Sequence, residues 1–173
     1  DPLWKKVKVK QIIENLEKKN ITFETPEIGD TFLLSDTQFE VLWIGDNEED
    51  LNSDSIILKL TYKNTTYLLM GDATTEVEEQ ILEKDIKSDL LKVAHHGSKQ
   101  SNSDKFLRKV NPKYAIISVG EGNDYGFPKK VVLNKLNQLG AKIYRTDELG
   151  TIIASSDGNE IYIESIRTDT NGE

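Results

Sequence analysis

The spacing of apolar residues along the chain changes character twice. Between Trp4 and Asn20, Val9, Ile12, Ile13 and Leu16 recur at helical intervals with Glu and Lys between them, which predicts a surface helix with one buried stripe. Short runs bounded by turn residues follow: Ile21–Glu24, Thr31–Leu34, Phe39–Ile44, Ser55–Tyr62 and Thr65–Met70. Their β-branched and aromatic content predicts a meander of antiparallel strands. After Asp72, helices separate the strands: helix Thr75–Lys84, strand Leu90–Ala94, helix Ser103–Val110, strand Tyr114–Val119 and helix Pro128–Leu139. Pro128 suits the first turn of that last helix and Gly140 its C-terminal cap. Strands Ala141–Thr146, Thr151–Ala154 and Glu160–Ile166, with turns at Asp147–Gly150 and Asp157-Gly158, complete the chain. Strands with helices packed on one side of mixed sheets make the fold class α/β or α+β.

At 173 residues the chain suits a single domain. It carries no internal repeat or linker, so residues 1–166 are taken as one unit and 167–173 as a polar, frayed tail. No apolar run is long enough to span a bilayer, which predicts a soluble chain without direct membrane contact. Asp1-Pro2-Leu3-Trp4 has neither the basic start of a signal peptide nor an initiator Met, and reads as a processed start. Cysteine is absent, which excludes a disulfide framework and a thiolate zinc site. A transition metal would have to use imidazole and carboxylate. The net charge of −8 gives no general attraction to nucleic acid or anionic membrane, so a role on DNA needs a local basic patch or a metal ion. The acidic stretch Gly45–Asp50 lacks the Gly and Glu of a calcium-binding helix–loop–helix and reads as a solvated loop.

Three strand ends carry candidate chemistry. An apolar run ends in Gly71-Asp72, where glycine lets the backbone bring a carboxylate close to a ligand; alone, the pair equally suits a turn that caps the next helix. A second run ends in His95-His96-Gly97-Ser98, which holds the only two histidines of the chain. Strand alternation sends adjacent side chains to opposite faces, so one histidine is expected to act as ligand or catalyst and the other as support. A surface His pair beside a loop is the plain alternative. Carboxylate and imidazole together suit a divalent transition metal. The third is the glycine-rich Gly120–Gly126 loop, which matches no nucleotide-binding pattern and reads as substrate-facing. Ser98 beside the histidines keeps a serine nucleophile formally open.

Residues from about Asn52 onward resemble metallo-β-lactamase-fold hydrolases, most closely the hydrolase domain of the bacterial competence (DNA-uptake) proteins of the ComEC type and their free-standing relatives. The matching segments are Asn52–Leu60, Leu68–Ala73, His95–Ser101, Ile117–Gly120, Asn123–Gly126 and Tyr144–Asp147. The resemblance implies the C-terminal portion of an αββα sandwich with metals at one edge. Asp72 would be the carboxylate that bridges two ions, His95 the last histidine ligand and His96 a catalytic or supporting neighbour. Asn123 and Tyr125 would line the substrate pocket, and Ser98 and Ser101 would line it or fix the orientation of the ligand. Two divalent ions, Zn or Mn, are implied for the complete enzyme, which would act on a phosphodiester with DNA as the leading substrate. An extracytoplasmic setting is implied by the same resemblance.

The departures are as informative. The family's leading His-x-His-x-Asp-His motif is absent, since no histidine precedes His95, and the usual Tyr-Gly-His-Pro is here Tyr125-Gly126-Phe127-Pro128. One carboxylate and one or two imidazoles do not fill a zinc site, so weak or absent metal binding and no hydrolysis are expected of this chain alone. Its expected partner is the missing N-terminal half of the fold or a second copy. Two alternatives stand beside this: a degenerate binding module of the same fold, and a hydrolase of a small phosphoester, thioester or lactone.

Overall fold

The computed structural model describes residues 3–22, 24–45 and 52–167, with side chains described from Lys10 onward. A seven-stranded sheet runs β1 (Thr31–Leu34), β2 (Thr37–Ile44), β3 (Ile56–Tyr62), β4 (Thr65–Leu69), β5 (Leu90–Lys92), β6 (Tyr114–Ile117) and β7 (Lys142–Arg145), in sequence order across the sheet. The first four strands are antiparallel and β4 through β7 are parallel. A parallel pair needs a crossover, and α2 (Thr75–Ile81), α3 (Asp104–Val110) and α4 (Lys130–Gln138) supply the three. Such crossovers are right-handed, and each advances one place in the same direction, so all three helices fall on one face. The core records this. Val77 and Ile81 of α2, Phe106 and Val110 of α3, and Val132 and Leu136 of α4 are buried against Leu42, Ile57, Leu68, Leu91 and Ile117 of the sheet. Each such side chain contributes about 1.5–3 kcal/mol by leaving water.

Among the described residues no crossover helix packs on the other face. Leu34, Phe39, Leu60, Tyr67, Leu69 and Ile116 line an open groove of about 560 Å³ there. At the sheet edge Leu33 and Leu34 are 72% and 68% exposed. After β7, a one-turn helix α5 (Thr146–Leu149) leads into a separate hairpin, β8 (Thr151–Ser156) and β9 (Ile161–Ile166). This hairpin docks on the start of β4 through a hydroxyl pair, Thr65 Oγ1 to Ser156 Oγ at 2.8 Å.

The α+β class and the meander-then-crossover order agree with the sequence patterns, and several details differ. The first helix, α1 (Leu3–Lys18), forms, but its stripe is not buried: Ile12 is 58% exposed, and Ile13 and Leu16 are only half-buried. Helical periodicity fixes which side chains share a face, not whether anything covers it. Residues 21, 22 and 24 are coil rather than strand, with Phe23 outside the described residues, and most of the acidic loop, 46–50, lies outside them too. Pro128 precedes α4 instead of opening it, because Lys129, its N-cap, donates its backbone N–H to Gly97 O at 2.9 Å. Arg167, assigned to the frayed tail, is held: Nη1 donates to Glu148 O at 2.7 Å and Nη2 lies 3.6 Å from Glu121 Oε2.

Candidate functional site

The parallel strands β4 to β7 all end at the same sheet edge, where open α/β folds collect ligand-binding groups. Four loops meet there: Gly71-Asp72 after β4, Ala94–Gly97 after β5, Ser118–Gly126 after β6, and Thr146 after β7. One backbone hydrogen bond joins the first two, and a serine just ahead of β3 holds the Gly-Asp turn. His95 N–H donates to Gly71 O at 3.1 Å, and Asp72 N–H donates to Ser55 Oγ at 2.9 Å. Gly71 has φ +55, and a Cβ there would lie 2.9 Å from Ser55 Oγ, so glycine lets this strand end close on its neighbour.

β5 ends at Lys92, earlier than the sequence predicts, and Ala94–Gly97 forms a short 3-10 turn. His95 and His96 have φ of 48° and 53°, a left-handed conformation rare for residues with a side chain, and Gly97 follows at +81°. Strand alternation therefore no longer governs where the two rings point. His96, not His95, comes to the carboxylate: its Nε2 lies 3.6 Å from Asp72 Oδ1, with both side chains a little over 40% exposed. His96 Nδ1 is 2.6 Å from Ser118 O. A carbonyl only accepts, so Nδ1 carries the hydrogen and Nε2 faces Asp72 with either a lone pair or a second proton. A lone pair aimed at a carboxylate is unfavourable unless a cation lies between them. His95 packs edge-on against Phe127, ring centres 5.7 Å apart, and its buried Nδ1 has no hydrogen-bond partner among the described residues.

The expected pocket residues divide. Asn123 and Tyr125 do border, with His96, Val119 and Phe127, a cavity of about 390 Å³. Asn123 spends its amide on its own loop, donating to Gly120 O and Phe127 O and accepting from Phe127 N–H. Ser98 and Ser101 do not line the cavity. Both are buried: Ser101 donates to Ala73 O at 2.7 Å, and Ser98 Oγ accepts from Gln100 N–H at 3.2 Å. A hydroxyl so enclosed is a brace and not a nucleophile, which closes the serine option.

Supports that the sequence did not reveal hold the histidine turn. Asn102, wholly buried with φ +65, donates from Nδ2 to Ala94 O and Ser98 O at 3.1 and 3.4 Å. Glu78 on α2 is also wholly buried and accepts the backbone N–H groups of Asn102 and Ser103. Burial pushes its carboxyl above the ordinary value, and the Ser103 and Asn102 hydrogen bonds and the charge of Lys135 offset this only in part. Thr146 clasps the end of β6, its Oγ1 accepting from Val119 N–H at 2.7 Å and donating to Val119 O at 2.8 Å. Lys92 lies behind the edge; burial lowers its pKa and the charge of Asp72 works against that. A lone Glu or Asn in a helix or loop carries no sequence signal for these roles.

As a metal centre the donor pair is partial. Asp72 and His96 offer a carboxylate and an oriented imidazole of the right chemistry. Among the described residues no group of three or more His, Asp or Glu side chains is placed to hold an ion.

No family model matches the chain. It is 33% identical over 148 residues to ComE operon protein 3 of Bacillus subtilis, a match that covers 84% of this chain and 19% of that protein. It is 34% identical over 118 residues to recombination protein 2 of Haemophilus influenzae, covering 68% and 15%, and 36% over 106 residues to competence protein ComA of Neisseria gonorrhoeae, covering 60% and 15%. The chain thus spans less than a fifth of the length of these curated relatives. A solved structure from Parabacteroides distasonis, described as a metal-dependent hydrolase, superposes with a TM-score of 0.52 at 15% identity, covering 78% of this chain and 62% of that one. At that identity the likeness is one of fold.

Proposed function

The chain is a ComEC-like metallo-β-lactamase-fold domain, and from that premise we propose that it is the C-terminal part of a metal-dependent hydrolase that cleaves phosphodiesters of DNA during DNA uptake. The observation that carries this is the orientation of His96. Its Nδ1 is committed to Ser118 O, and its Nε2 is presented to Asp72 at 3.6 Å, the arrangement in which an imidazole and a carboxylate share a cation. Asp72 and His96 are the donors this chain contributes, and His95 forms the aromatic wall beside them. A bound divalent ion would acidify a water and neutralise charge on the scissile phosphate. Such a site needs three or four protein ligands per ion, and the described residues bring two together, so hydrolysis calls for further ligands. The remaining ligands come from the half of the fold that covers the open sheet face, supplied by the same polypeptide or an associated one. The competence context of the relatives supports DNA as substrate.

The test is hydrolysis by a polypeptide extended with the histidine-rich half, with Mn²⁺ or Zn²⁺, on plasmid DNA and on small phosphodiesters. Cleavage of DNA that disappears with EDTA and in Asp72→Asn is the expected result. Turnover of small esters alone would move the assignment to a small-molecule hydrolase. No hydrolysis and no metal uptake would favour a non-catalytic module, the reading that Phe127 in place of the family's histidine supports.

A further inference from the structure

Tyr125 and Phe127 form a stacked pair, ring centres 5.6 Å apart and planes 15° from parallel, and line with His96 the same cavity. Tyr125 is 74% exposed, an unusual setting for so large a ring in a loop that is otherwise tied down. Three hydrogen bonds through Asn123 fix the loop backbone from Gly120 to Phe127. Lys129 Nζ donates to Tyr125 O at 2.7 Å and sits 5.2 Å from the centre of the Phe127 ring. Phe127 in turn rests on the edge of His95. The outer face of Tyr125 is therefore a rigid aromatic surface, held in place before any ligand arrives and attached to the turn that carries the Asp72–His96 pair.

We infer that this shelf is a nucleobase subsite: a base of single-stranded nucleic acid stacks on Tyr125 and sets the adjoining backbone toward the strand-end edge. This rests on the phosphodiesterase proposal and names the strand form it takes. Every base offers a π-face, so stacking on a fixed aromatic ring binds without sequence preference. Inside a duplex both faces of a base are already covered by its neighbours, so the shelf selects single strands and frayed ends. Preorganisation matters because little side-chain or loop entropy is left to lose on binding. With a net charge of −8 the chain has no general electrostatic hold on phosphates, so single-strand binding without a metal ion is weak and rests on stacking.

The test is fluorescence anisotropy of a labelled oligothymidylate with this chain, in EDTA so that no hydrolysis intervenes. Wild type binds the single strand and binds duplex and an abasic strand of equal length more weakly. Tyr125→Ala weakens single-strand binding by about fivefold or more, the scale of one lost base stack, and Tyr125→Phe restores it. The abasic strand binding as well as the single strand, Tyr125→Ala matching wild type, or no binding by wild type would each overturn the subsite. Binding is read in EDTA with no turnover, so the subsite stands or falls independently of the hydrolysis test above.

Discussion

Three consecutive residues, His95, His96 and Gly97, hold left-handed backbone conformations, and two of them carry side chains that disfavour it. Such strain costs about 1–3 kcal/mol per residue and persists only where surrounding contacts over-determine the shape. The contacts are identifiable. A Cβ on Gly97 would lie 2.6 Å from Pro128 Cβ, so the histidine turn and the end of the glycine-rich loop touch backbone to ring with no room between. Gly97→Ala is expected to destabilise the fold by about 1–3 kcal/mol, read as a lower urea midpoint at unchanged slope; an unchanged midpoint would mean the two loops are not locked. Glu78 makes a prediction in pH. Its carboxyl titrates above the ordinary 4.5 in the folded chain, chiefly through burial. The folded state then binds its proton more tightly, so stability falls as pH rises from 4.5 to the folded value and returns on acidification. Asp89, whose burial is outweighed by Lys113 and Thr66, is held below 3.8 and gives its opposite slope in a lower window. Urea midpoints across the upper window should lose their slope in Glu78→Gln, and an identical slope in the variant would contradict this assignment.

At the level of elements, the site is built from the ends of β4, β5 and β6 and held from behind by α2 through Glu78 and Asn102. Asn102→Ala removes that donor from the carbonyls of Ala94 and Ser98, the latter keeping the Ser101 N–H, at about 0.5–1.5 kcal/mol for each lost hydrogen bond. We expect hydrogen exchange of the 94–101 amides to rise in this variant while the amides of β3 stay protected; an equal rise in both would show global unfolding instead. The strands and crossover helices were legible because their apolar periods are long enough to be distinct, and Gly71-Asp72 and His95-His96 stood out as polar ends of apolar runs. Which histidine meets Asp72 was not legible. That depends on β5 stopping at Lys92 and on backbone angles at His95 and His96, which alternation rules cannot supply. Which of the two roles falls to Ser98 and Ser101 was not legible for a related reason: proximity in sequence to a site residue says nothing of which way a side chain turns once the strand has ended. The incompletely buried stripe of α1, from Ile12 to Leu16, shows the same limit, since periodicity describes a face but not its partner.

For the whole molecule, the crossovers cover one sheet face and leave the other open, with Phe39, Leu60, Tyr67 and Leu69 along a groove of about 560 Å³ and Leu33 and Leu34 exposed at the edge. Contiguous apolar surface of this kind marks an interface. The chain is expected to self-associate reversibly when alone, and Leu34→Lys to shift sedimentation toward the monomer; a wild-type chain that stays monomeric at high concentration would count against the open face as a docking surface. In the proposed reading, a histidine-rich half seated on that face would bring further ligands to the edge that holds Asp72 and His96. The most direct measurement is a calorimetric titration of Mn²⁺ or Zn²⁺ into the extended polypeptide and its Asp72→Asn, His96→Ala and His95→Ala variants. Loss of affinity by about tenfold or more in the first two, with His95→Ala close to wild type, is the predicted result; full affinity in His96→Ala, with the loss falling on His95→Ala, would contradict the pairing on which the site is built.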